Sequence, residues 1–434
     1  MSDWISAAAG PLRGEIRVPG DKSISHRAIM LAALADGCSR ITGFLEGEDT
    51  RASARAFAHM GVRIDAPRAG ERIVHGVGLH GLLAPGVPID CGNAGTGMRL
   101  LTGLLAGQGF DATLAGDESL SRRPMRRVIE PLTRMGARIE SNGGLPPLQI
   151  RGGRALHAIS YALPVASAQV KSAILFAGLY ANGETHVCEP HPTRDYTERM
   201  LAAFGWPVEF GEGWVKLRGG QHLRATDIDV PADFSSAAFF IVAATLLPGS
   251  EIVLRDVGTN PRRTGLLLAL RAMGADIRES NPRARGGEPV ADLVVRHARL
   301  RGIDVPEELV PDMIDEFPIL FIAAAAAQGT TRVSGAAELR VKESDRIAVM
   351  ANGLRALGAR IEETPGGAVI EGGQFAGGEV DSASDHRCAM SFAVAGAIAR
   401  APVRIVDCAN VATSFPGFMQ LANSSGFELA ATPG

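Results

Sequence analysis

The sequence lacks the marks of several protein classes. Its net charge of −3 at pH 7 argues against a general nucleic-acid binder, which would have a basic balance. No uninterrupted apolar run reaches the ~18–20 residues of a membrane span, and residues 1–10 contain Asp3 but no basic cluster, unlike a secretory signal. The five cysteines are scattered, without CxxC or Cys/His metal spacing. We therefore expect a soluble, cytoplasmic protein with reduced thiols, no metal and no nucleic-acid or membrane partner.

Glycine, in contrast, is abundant, at 52 of 434 residues, and six glycines share one context. Each ends an amphipathic helical pattern and is soon followed by a β-branched or apolar residue. Glycine is common at the position directly after a helix end. These glycines are Gly61, Gly136, Gly205, Gly274, Gly358 and, more weakly, Gly426. Subtraction gives intervals of 75, 69, 69, 84 and 68 residues, which predicts six similar repeats along the chain.

A polar cluster stands about 40 residues ahead of each of these glycines and opens a strongly apolar helical pattern. Helices that are apolar nearly all round are buried, and short β-rich runs lie between them. The clusters are residues 22–23, 93–96, 167–169, 233–236, 312–315 and 385–387. If the buried helices run parallel in closed arrays, their N-termini gather at one end and form a site for polyanions. Alternatively, the clusters merely cap six helices that face water, and the spacing alone favours neither reading.

The first cluster follows the turn Pro19-Gly20, and the pattern after it predicts a helix over about residues 24–35. Such a helix start offers an anion backbone N–H groups and a positive dipole end. Lys22 and Arg27 add positive charge, and Ser23 adds a hydroxyl.

Five motifs make the chain resemble the enolpyruvyl transferase family from about residue 12 to residue 427. Each motif alone would be weak, but five in the right order are very specific. They are Gly20-Asp21-Lys22-Ser23-Ile24-Ser25-His26-Arg27, Gly92-Asn93-Ala94-Gly95-Thr96-Gly97-Met98-Arg99, Ser121-Arg122-Arg123-Pro124-Met125, Arg340-Val341-Lys342-Glu343-Ser344-Asp345-Arg346 and Asp385-His386-Arg387-Cys388-Ala389-Met390.

The resemblance implies an inside-out α/β fold of two domains, each with three βαβαββ repeats. The buried parallel helices of such a fold point their N-termini at the cleft between the domains, where the family binds and closes on its substrates. One domain would comprise residues 20–235 with repeats one to three. The other would be discontinuous, with residues 1–19 and 236–434 and repeats four to six.

The implied reaction transfers the enolpyruvyl group of phosphoenolpyruvate to the 5-hydroxyl of shikimate 3-phosphate and releases phosphate, in the pathway to chorismate and aromatic amino acids. It implies no cofactor, and we expect a monomer. The positions matching the shikimate 3-phosphate site are Lys22, Ser23, Arg27, Ser167, Ala168, Gln169, Thr193, Arg194, Asp315 and Lys342. Those matching the phosphoenolpyruvate site are Lys22, Asn93, Gly95, Arg123, Gln169, Arg346, His386 and Arg387.

The reaction needs proton transfers at two places, the 5-hydroxyl and C3 of phosphoenolpyruvate. The candidates for catalysis are Asp315 as base toward the hydroxyl, with Lys22 and Glu343 exchanging protons at C3 and at the leaving phosphate. Glu343 could instead be half of an i,i+3 pair with Arg346 on a solvated helix face. His26 and His386 are expected to form structural hydrogen bonds, although His386 is the one expected nearer a ligand. Asp49 and Arg99 are further candidates to face the cleft.

Three other functions compete with this one. A sister enzyme that acts on a UDP-linked amino sugar has a reactive cysteine in a mobile loop, and residues 116–127 contain none. An RNA 3′-phosphate cyclase would need a nucleotide-accepting histidine and a more basic surface. A non-catalytic polyanion-binding protein would not need Asp315 and Glu343. Glyphosate resembles phosphoenolpyruvate, and Gly95 leaves the space in which we expect it to fit.

Overall fold

The computed structural model describes residues 3–432. Its α-helices are α1 (Lys22–Leu34), α2 (Glu48–His59), α3 (Gly95–Ala106), α4 (Glu118–Ser121), α5 (Arg126–Arg134), α6 (Ala168–Gly178), α7 (Tyr196–Ala203), α8 (Phe234–Leu246), α9 (Gly265–Ala272), α10 (Phe317–Ala326), α11 (Arg346–Ala356), α12 (His386–Ala397) and α13 (Phe418–Ser425). Short 3-10 helices span Glu307–Leu309, Ala337–Val341 and Ala409–Thr413. Within residues 3–432, no helix is both long and apolar enough to cross a membrane.

The strands are short and lie between these helices. They are β1 (Trp4–Ala7), β2 (Arg13–Ile16), β3 (Asp36–Thr42), β4 (Arg63–Asp65), β5 (Glu71–Val77), β6 (Ile89–Asp90), β7 (Ala112–Ala115), β8 (Arg138–Asn142), β9 (Leu145–Arg151), β10 (Ser160–Ala162), β11 (Glu184–Cys188), β12 (Val208–Gly211), β13 (Trp214–Arg218), β14 (Ile228–Asp229), β15 (Glu251–Gly258), β16 (Asp276–Arg285), β17 (Glu288–Arg296), β18 (Thr330–Val333), β19 (Arg360–Thr364), β20 (Gly367–Glu371), β21 (Gly378–Asp381), β22 (Val403–Val406) and β23 (Glu428–Ala431).

The chain divides into two compact units. The first runs up to Pro19, takes in Ala232–Arg283, and resumes at Pro289 to the end of the described chain; the second is Gly20–Pro231 with Ala284–Glu288. The sequence-based boundaries were residues 19/20 and 235/236. The outermost positions of the predicted discontinuous domain, residues 1, 2, 433 and 434, lie outside the described residues.

Each unit contains three sheets, and each sheet belongs to one repeat. In the second unit the strand orders are β14-β3-β5-β4, β6-β7-β9-β8 and β10-β11-β13-β12. In the first they are β16-β17-β15-β2, β18-β20-β19 and β21-β22-β1-β23. The second repeat has the full order β6, α3, β7, α5, β8, β9, with β6 and β7 parallel and the rest antiparallel. The predicted α/β class and six repeats are confirmed.

The core of each unit is built on three helices that are buried along nearly their whole length: α1, α3 and α6 in the second unit, and α8, α10 and α12 in the first. Each helix has its end closed by a backbone N–H from another segment. In the first unit, Ala298 donates to Thr245 O (3.0 Å), Gly373 to Ala325 O (2.8 Å) and Ala9 to Ala397 O (2.9 Å). Unpaired carbonyls at a buried helix end are costly, so these bonds stabilise the ends of the buried helices.

The six glycines that suggested the repeats all follow helix ends and have φ between 78° and 118°. This is the left-handed region that ends a helix at little cost for glycine alone. The first predicted helix starts two residues earlier than expected, at Lys22, because the Asp21 carboxylate accepts a hydrogen bond from Ile24 N (2.8 Å) and caps it. Lys22 and Ser23 therefore lie in its first turn.

Candidate functional site

In the second unit, Lys22 is held by a buried carboxylate. Its Nζ forms an ion pair with Oδ2 of Asp49, in the first turn of α2. The Asp49 side chain is 3% exposed, and its Oδ1 is buried without a hydrogen-bond partner, whereas Lys22 keeps 20% of its side chain exposed. Asp49 was a minor candidate in the sequence, and the structure makes it the direct partner of Lys22.

Arg27 lies one turn along α1 and is buried. Its Nε donates to Thr197 Oγ1 (2.7 Å), Nη1 to Ser23 O (3.0 Å) and Nη2 to Ser172 Oγ (2.9 Å). Burial lowers the pKa of Arg27 to about 10, so the guanidinium is still charged at neutral pH.

His26, next to Arg27, is fully buried, and its Nδ1 is 2.8 Å from Ser53 Oγ. Burial, with Lys22 and Arg27 nearby, lowers the pKa of His26 to about 3. The imidazole is therefore neutral and hydrogen-bonded, in line with the structural role expected for it.

A hydrogen-bonded chain joins the start of α3 to the start of α6. Arg99 Nη1 donates to Gln169 Oε1 (3.0 Å), and Gln169 Nε2 donates to Thr96 Oγ1 (2.9 Å). An arginine can only donate, so Arg99 fixes which way the Gln169 amide faces.

Arg123 is fixed by the glycine-rich loop before α3. Its Nη2 donates to Asn93 Oδ1 (2.6 Å) and to Ser119 Oγ (3.1 Å). A Cβ placed on Gly95 would lie 2.9 Å from Arg99 Nη1 and 3.1 Å from Arg123 Nη1. A side chain at Gly95 would thus crowd two guanidinium groups, in addition to the predicted effect on ligand space.

The start of α6 is braced by a buried ion triad. Ser167 caps the helix by accepting from Val170 N (3.4 Å), and Ala168 is the first helical residue. One turn on, Lys171 Nζ lies 2.7 Å from both Glu189 Oε2 and Glu198 Oε1, with all three side chains at most 3% exposed. Burial raises the pKa of Glu198, and the two carboxylates outweigh burial to raise the pKa of Lys171.

This Lys171 triad also holds the loop that contains two predicted phosphate ligands. The hydroxyl of Thr193 donates to Glu189 Oε1, and Thr193 N donates to Glu189 Oε2 (3.3 Å). Arg194 follows directly, close enough to Arg27 for its charge to lower the pKa of Arg27. The hydroxyl proton of Thr193 is therefore directed at a carboxylate.

We call Lys22, Arg27, Arg99 and Arg123, with Asp49 and Gln169, the Lys22 cluster. The second group of predicted residues lies in the first unit and centres on Arg346, the first residue of α11.

Arg346 is 1% exposed and contacts three carboxylates. Its Nη1 lies 3.3 Å from Asp315 Oδ1, its Nη2 2.5 Å from Glu343 Oε2 and its Nε 2.8 Å from Asp385 Oδ2. Burial would lower the pKa of Arg346, but these three carboxylates raise it well above its usual value. The i,i+3 pair between Glu343 and Arg346 does form, but with a buried arginine rather than on a solvated face.

Asp385, His386 and Arg387 open α12. Asp385 caps the helix by accepting from Arg387 N (2.9 Å); burial would raise its pKa, but Arg346 outweighs burial and lowers it. His386 is 4% exposed. Arg387 Nη1 donates to the backbone oxygen of Asp315 (3.3 Å).

Lys342 lies between the 3-10 helix Ala337–Val341 and α11. Its Nζ lies 3.9 Å from Glu338 Oε1. Burial lowers the pKa of Lys342, opposed by the nearby charge of Asp315.

Sequence patterns gave no role to Arg263, which lies in the loop between β15 and α9. Its guanidinium is 3% exposed and contacts Asp233, Asp315 and Glu316 at 3.3–3.5 Å. It is outside all of the helix-start clusters, so the spacing carried no signal for it. We call Arg263, Arg346 and Arg387, with Asp233, Asp315, Glu316, Glu343 and Asp385, the Arg346 cluster.

The predicted site residues thus fall into two groups, one in each unit. The second unit holds Lys22, Ser23, Arg27, Asn93, Gly95, Arg123, Ser167, Ala168, Gln169, Thr193 and Arg194; the first holds Asp315, Lys342, Glu343, Arg346, His386 and Arg387. Over the described part of the chain, no group of three or more His, Cys, Asp or Glu side chains is arranged to hold a metal ion.

Comparisons with known proteins agree along the chain. The family model of EPSP synthase (3-phosphoshikimate 1-carboxyvinyltransferase) matches residues 7–421. A 3-phosphoshikimate 1-carboxyvinyltransferase of Xanthomonas campestris pv. campestris is 66% identical over 431 residues, 99% of this chain and 98% of that one. One of Xanthomonas euvesicatoria pv. vesicatoria is 66% identical over 427 residues, covering 98% and 97%.

Solved structures give the same result for the fold. EPSP synthase from Acinetobacter baumannii superposes with a TM-score of 0.90 at 51% identity, with both chains covered completely. With the motifs, the six repeats and both residue clusters in place, the chain belongs to the EPSP synthase family.

Proposed function

We propose that this protein transfers the enolpyruvyl group of phosphoenolpyruvate to the 5-hydroxyl of shikimate 3-phosphate and releases inorganic phosphate. The observation that carries the proposal is the family match over residues 7–421, within which every predicted site residue falls. The transferase serves the shikimate pathway to chorismate and aromatic amino acids.

The charge of the Lys22 cluster supports its role in substrate binding. Both substrates carry a phosphate and a carboxylate, so the site must hold several negative charges. In the proposal, Ser23 and Arg27 bind the shikimate carboxylate and hydroxyls. Ser167, Ala168, Gln169, Thr193 and Arg194 bind its phosphate at the start of α6, where backbone N–H groups favour an anion. Because the Thr193 proton is directed at Glu189, the charge on the phosphate is met by Arg194.

Phosphoenolpyruvate is proposed to contact residues from both groups of predicted site residues. Lys22, Asn93, Gly95, Arg123 and Gln169 come from the second unit. Arg346, His386 and Arg387 come from the first. Arginine suits this task because its planar fork binds a phosphate or carboxylate at two points.

The proton transfers are assigned to Asp315, Lys22 and Glu343. The 5-hydroxyl loses its proton to Asp315 as the oxygen bonds to C2, and C3 gains a proton. The tetrahedral adduct then loses a proton from C3 and expels phosphate, with Lys22 and Glu343 as the exchanging groups. Lys342, near Asp315, is proposed to contact shikimate 3-phosphate.

Two further expectations belong to the proposal. The protein is cytoplasmic, which fits the five free thiols of the described chain. It is also a monomer, which light scattering after size exclusion checks. Glyphosate competes with phosphoenolpyruvate; activity that stayed constant up to millimolar glyphosate would contradict this.

The proposal is tested by phosphate release from the purified protein, with each substrate omitted in turn and a Lys22→Ala variant beside the parent. Release that needs both substrates and is lost in the variant supports the assignment. Release with a UDP-linked amino sugar in place of shikimate 3-phosphate would move the protein to the sister activity. Tight binding without turnover would leave a binding protein.

A further inference from the structure

Arg263 is the centre of a buried polar network that the assigned residues do not explain. Its Nη2 donates to the Ser235 hydroxyl and lies 3.3 Å from Asp233 Oδ1, at the start of α8. Its Nη1 lies 3.5 Å from Asp315 Oδ2 and 3.5 Å from Glu316 Oε1, just before α10. One guanidinium thus joins the starts of two core helices.

Asp315 is the carboxylate that Arg263 and Arg346 share. Arg346 lies 3.3 Å from its Oδ1, and Arg263 lies 3.5 Å from its Oδ2. Asp315 precedes α10 and belongs to no helix or strand, so its direction depends on such contacts. Its side chain remains 16% exposed, which leaves part of the carboxylate open to a substrate.

We propose that Arg263 is a positioning residue for the transfer reaction. It contacts Oδ2 of Asp315, whereas Arg346 contacts Oδ1, and so orients the carboxylate toward the 5-hydroxyl. The inference rests on the proposed function of Asp315 as base. Arg263 touches no reacting atom and acts through the direction of Asp315.

The identity of the residue follows from the network. Glu316 is 1% exposed, and its Oε1 is engaged by both the Ser235 hydroxyl and Arg263. A buried carboxylate needs a cation. Arg387 Nη1 also lies 3.9 Å from Glu316 Oε1, but Arg263 lies closer and contacts Asp233 and Asp315 as well. Arginine can do this with a rigid fork of donors, whereas a lysine offers a single charged atom.

The neighbouring Arg262 is a matched control. Its Nη1 lies 3.7 Å from Asp312 Oδ2, and its side chain is 32% exposed, against 3% for Arg263. Arg262→Met removes the same charge one residue away.

The experiment compares Arg263→Met, Arg263→Lys, Arg263→Ala and Arg262→Met in the phosphate-release assay, with thermal unfolding measured for each. We expect kcat to fall about 100-fold in Arg263→Met, the scale of a 1 Å misplacement, with both KM values within about threefold of the parent. Arg263→Lys should recover about tenfold of that loss, and Arg262→Met should stay within about twofold of the parent. Millimolar guanidinium should restore part of kcat in Arg263→Ala and none in Asp315→Asn.

Several outcomes would overturn the inference. One is a parental kcat per folded molecule in Arg263→Met. Another is a loss of activity in Arg263→Met that comes from a raised KM rather than a lowered kcat. If Arg263→Met does not fold, Arg263→Lys decides: parental kcat with lowered thermal stability would make Arg263 a structural residue only. A parent protein that does not release phosphate would instead refute the proposed function and leave the Arg263 network without a reaction to serve.

Discussion

The two clusters handle positive charge differently. In the Lys22 cluster, the contacts described for Arg27, Arg99 and Arg123 are to hydroxyl, amide and carbonyl groups. In the Arg346 cluster, Arg263 and Arg346 each contact three carboxylates. Arginines hold carboxylates in place in the Arg346 cluster, whereas in the Lys22 cluster Lys22 pairs with a carboxylate, that of Asp49. From the proposed roles we expect loss of Arg123 mainly to raise KM, and loss of Asp315 mainly to lower kcat.

The largest expected effect is that of Asp315→Asn. The substitution keeps the shape of the side chain and removes the proposed base, so kcat for phosphate release should fall about 10²–10⁴-fold while both KM values change little. Asp304→Asn, at a side chain that is 78% exposed, is the control and should match the parent. A loss carried mainly by KM for shikimate 3-phosphate would make Asp315 a binding residue and weaken the contrast between the clusters.

Lys171→Met tests the place where the second unit is built like the Arg346 cluster. Removing the lysine leaves the carboxylates of Glu189 and Glu198 buried without their cation. The free energy of unfolding, measured by urea denaturation, should therefore drop by about 3–5 kcal/mol. The double variant Lys171→Met, Glu198→Gln should recover part of the lost stability, because it removes one of the two unpaired buried charges.

Lys216→Met removes a more exposed lysine that pairs with Glu209 in the same unit and should change stability little. If Lys171→Met were as stable as Lys216→Met, the triad would not hold the loop at Thr193.

Arg123→Met should act through binding. The lost charge-assisted hydrogen bonds should raise KM for phosphoenolpyruvate about 10–100-fold, since such bonds contribute about 1.5–3 kcal/mol, with a smaller change in kcat. Arg122→Met, at a neighbouring side chain that is 75% exposed, should leave both parameters unchanged. A drop in kcat at constant KM would mean that Arg123 acts on the chemical step, as Asp315 in the Arg346 cluster is expected to, and not on binding.

The smallest effect should be the dependence of stability on pH that comes from His26. Its pKa is about 3 when folded and about 6.5 in an unfolded chain, so between these values only the unfolded chain binds the proton. Stability should therefore fall as pH decreases from about 6.5, by up to about 1.4 kcal/mol per pH unit from this group.

Urea unfolding at pH 4.5, 5.5 and 7 should show this slope reduced by about one proton in His26→Asn. His222→Gln, at a side chain that is 84% exposed, should keep the parental slope. An unchanged slope in His26→Asn would mean that burial does not lower the pKa of the His26 imidazole in the folded protein.

The parts of the structure that the sequence predicted are those with local causes. A glycine such as Gly61 and an apolar run such as that of α8 act within a few residues. They therefore leave periodic signals, and six copies of the signal made the repeats readable. The short β-rich runs predicted between the apolar helices were found for the same reason, among them β15, β18 and β22.

The contacts inside the clusters have no such signal. The Ser235 hydroxyl meets Arg263 from 28 positions away and Glu316 from 81 positions away, and nothing in the spacing of these residues links them. The partners of Arg27, Thr197 and Ser172, are likewise 170 and 145 positions distant. Only the folded repeats bring such residues together, so the sequence named cluster members but not their pairings.

The place of the first strands in the fold has a consequence for protein synthesis. β1 pairs with β22 and β23, and β2 pairs with β15, so residues synthesised early complete sheets whose other strands are synthesised much later. At about 5–20 residues per second, the ribosome needs roughly 20–80 s to travel from Ile16 to Glu428. The continuous stretch Gly20–Pro231 emerges whole within that interval and can fold first. The nascent chain must therefore keep its leading strands unpaired, and available to chaperones, until the trailing end of the chain reaches them.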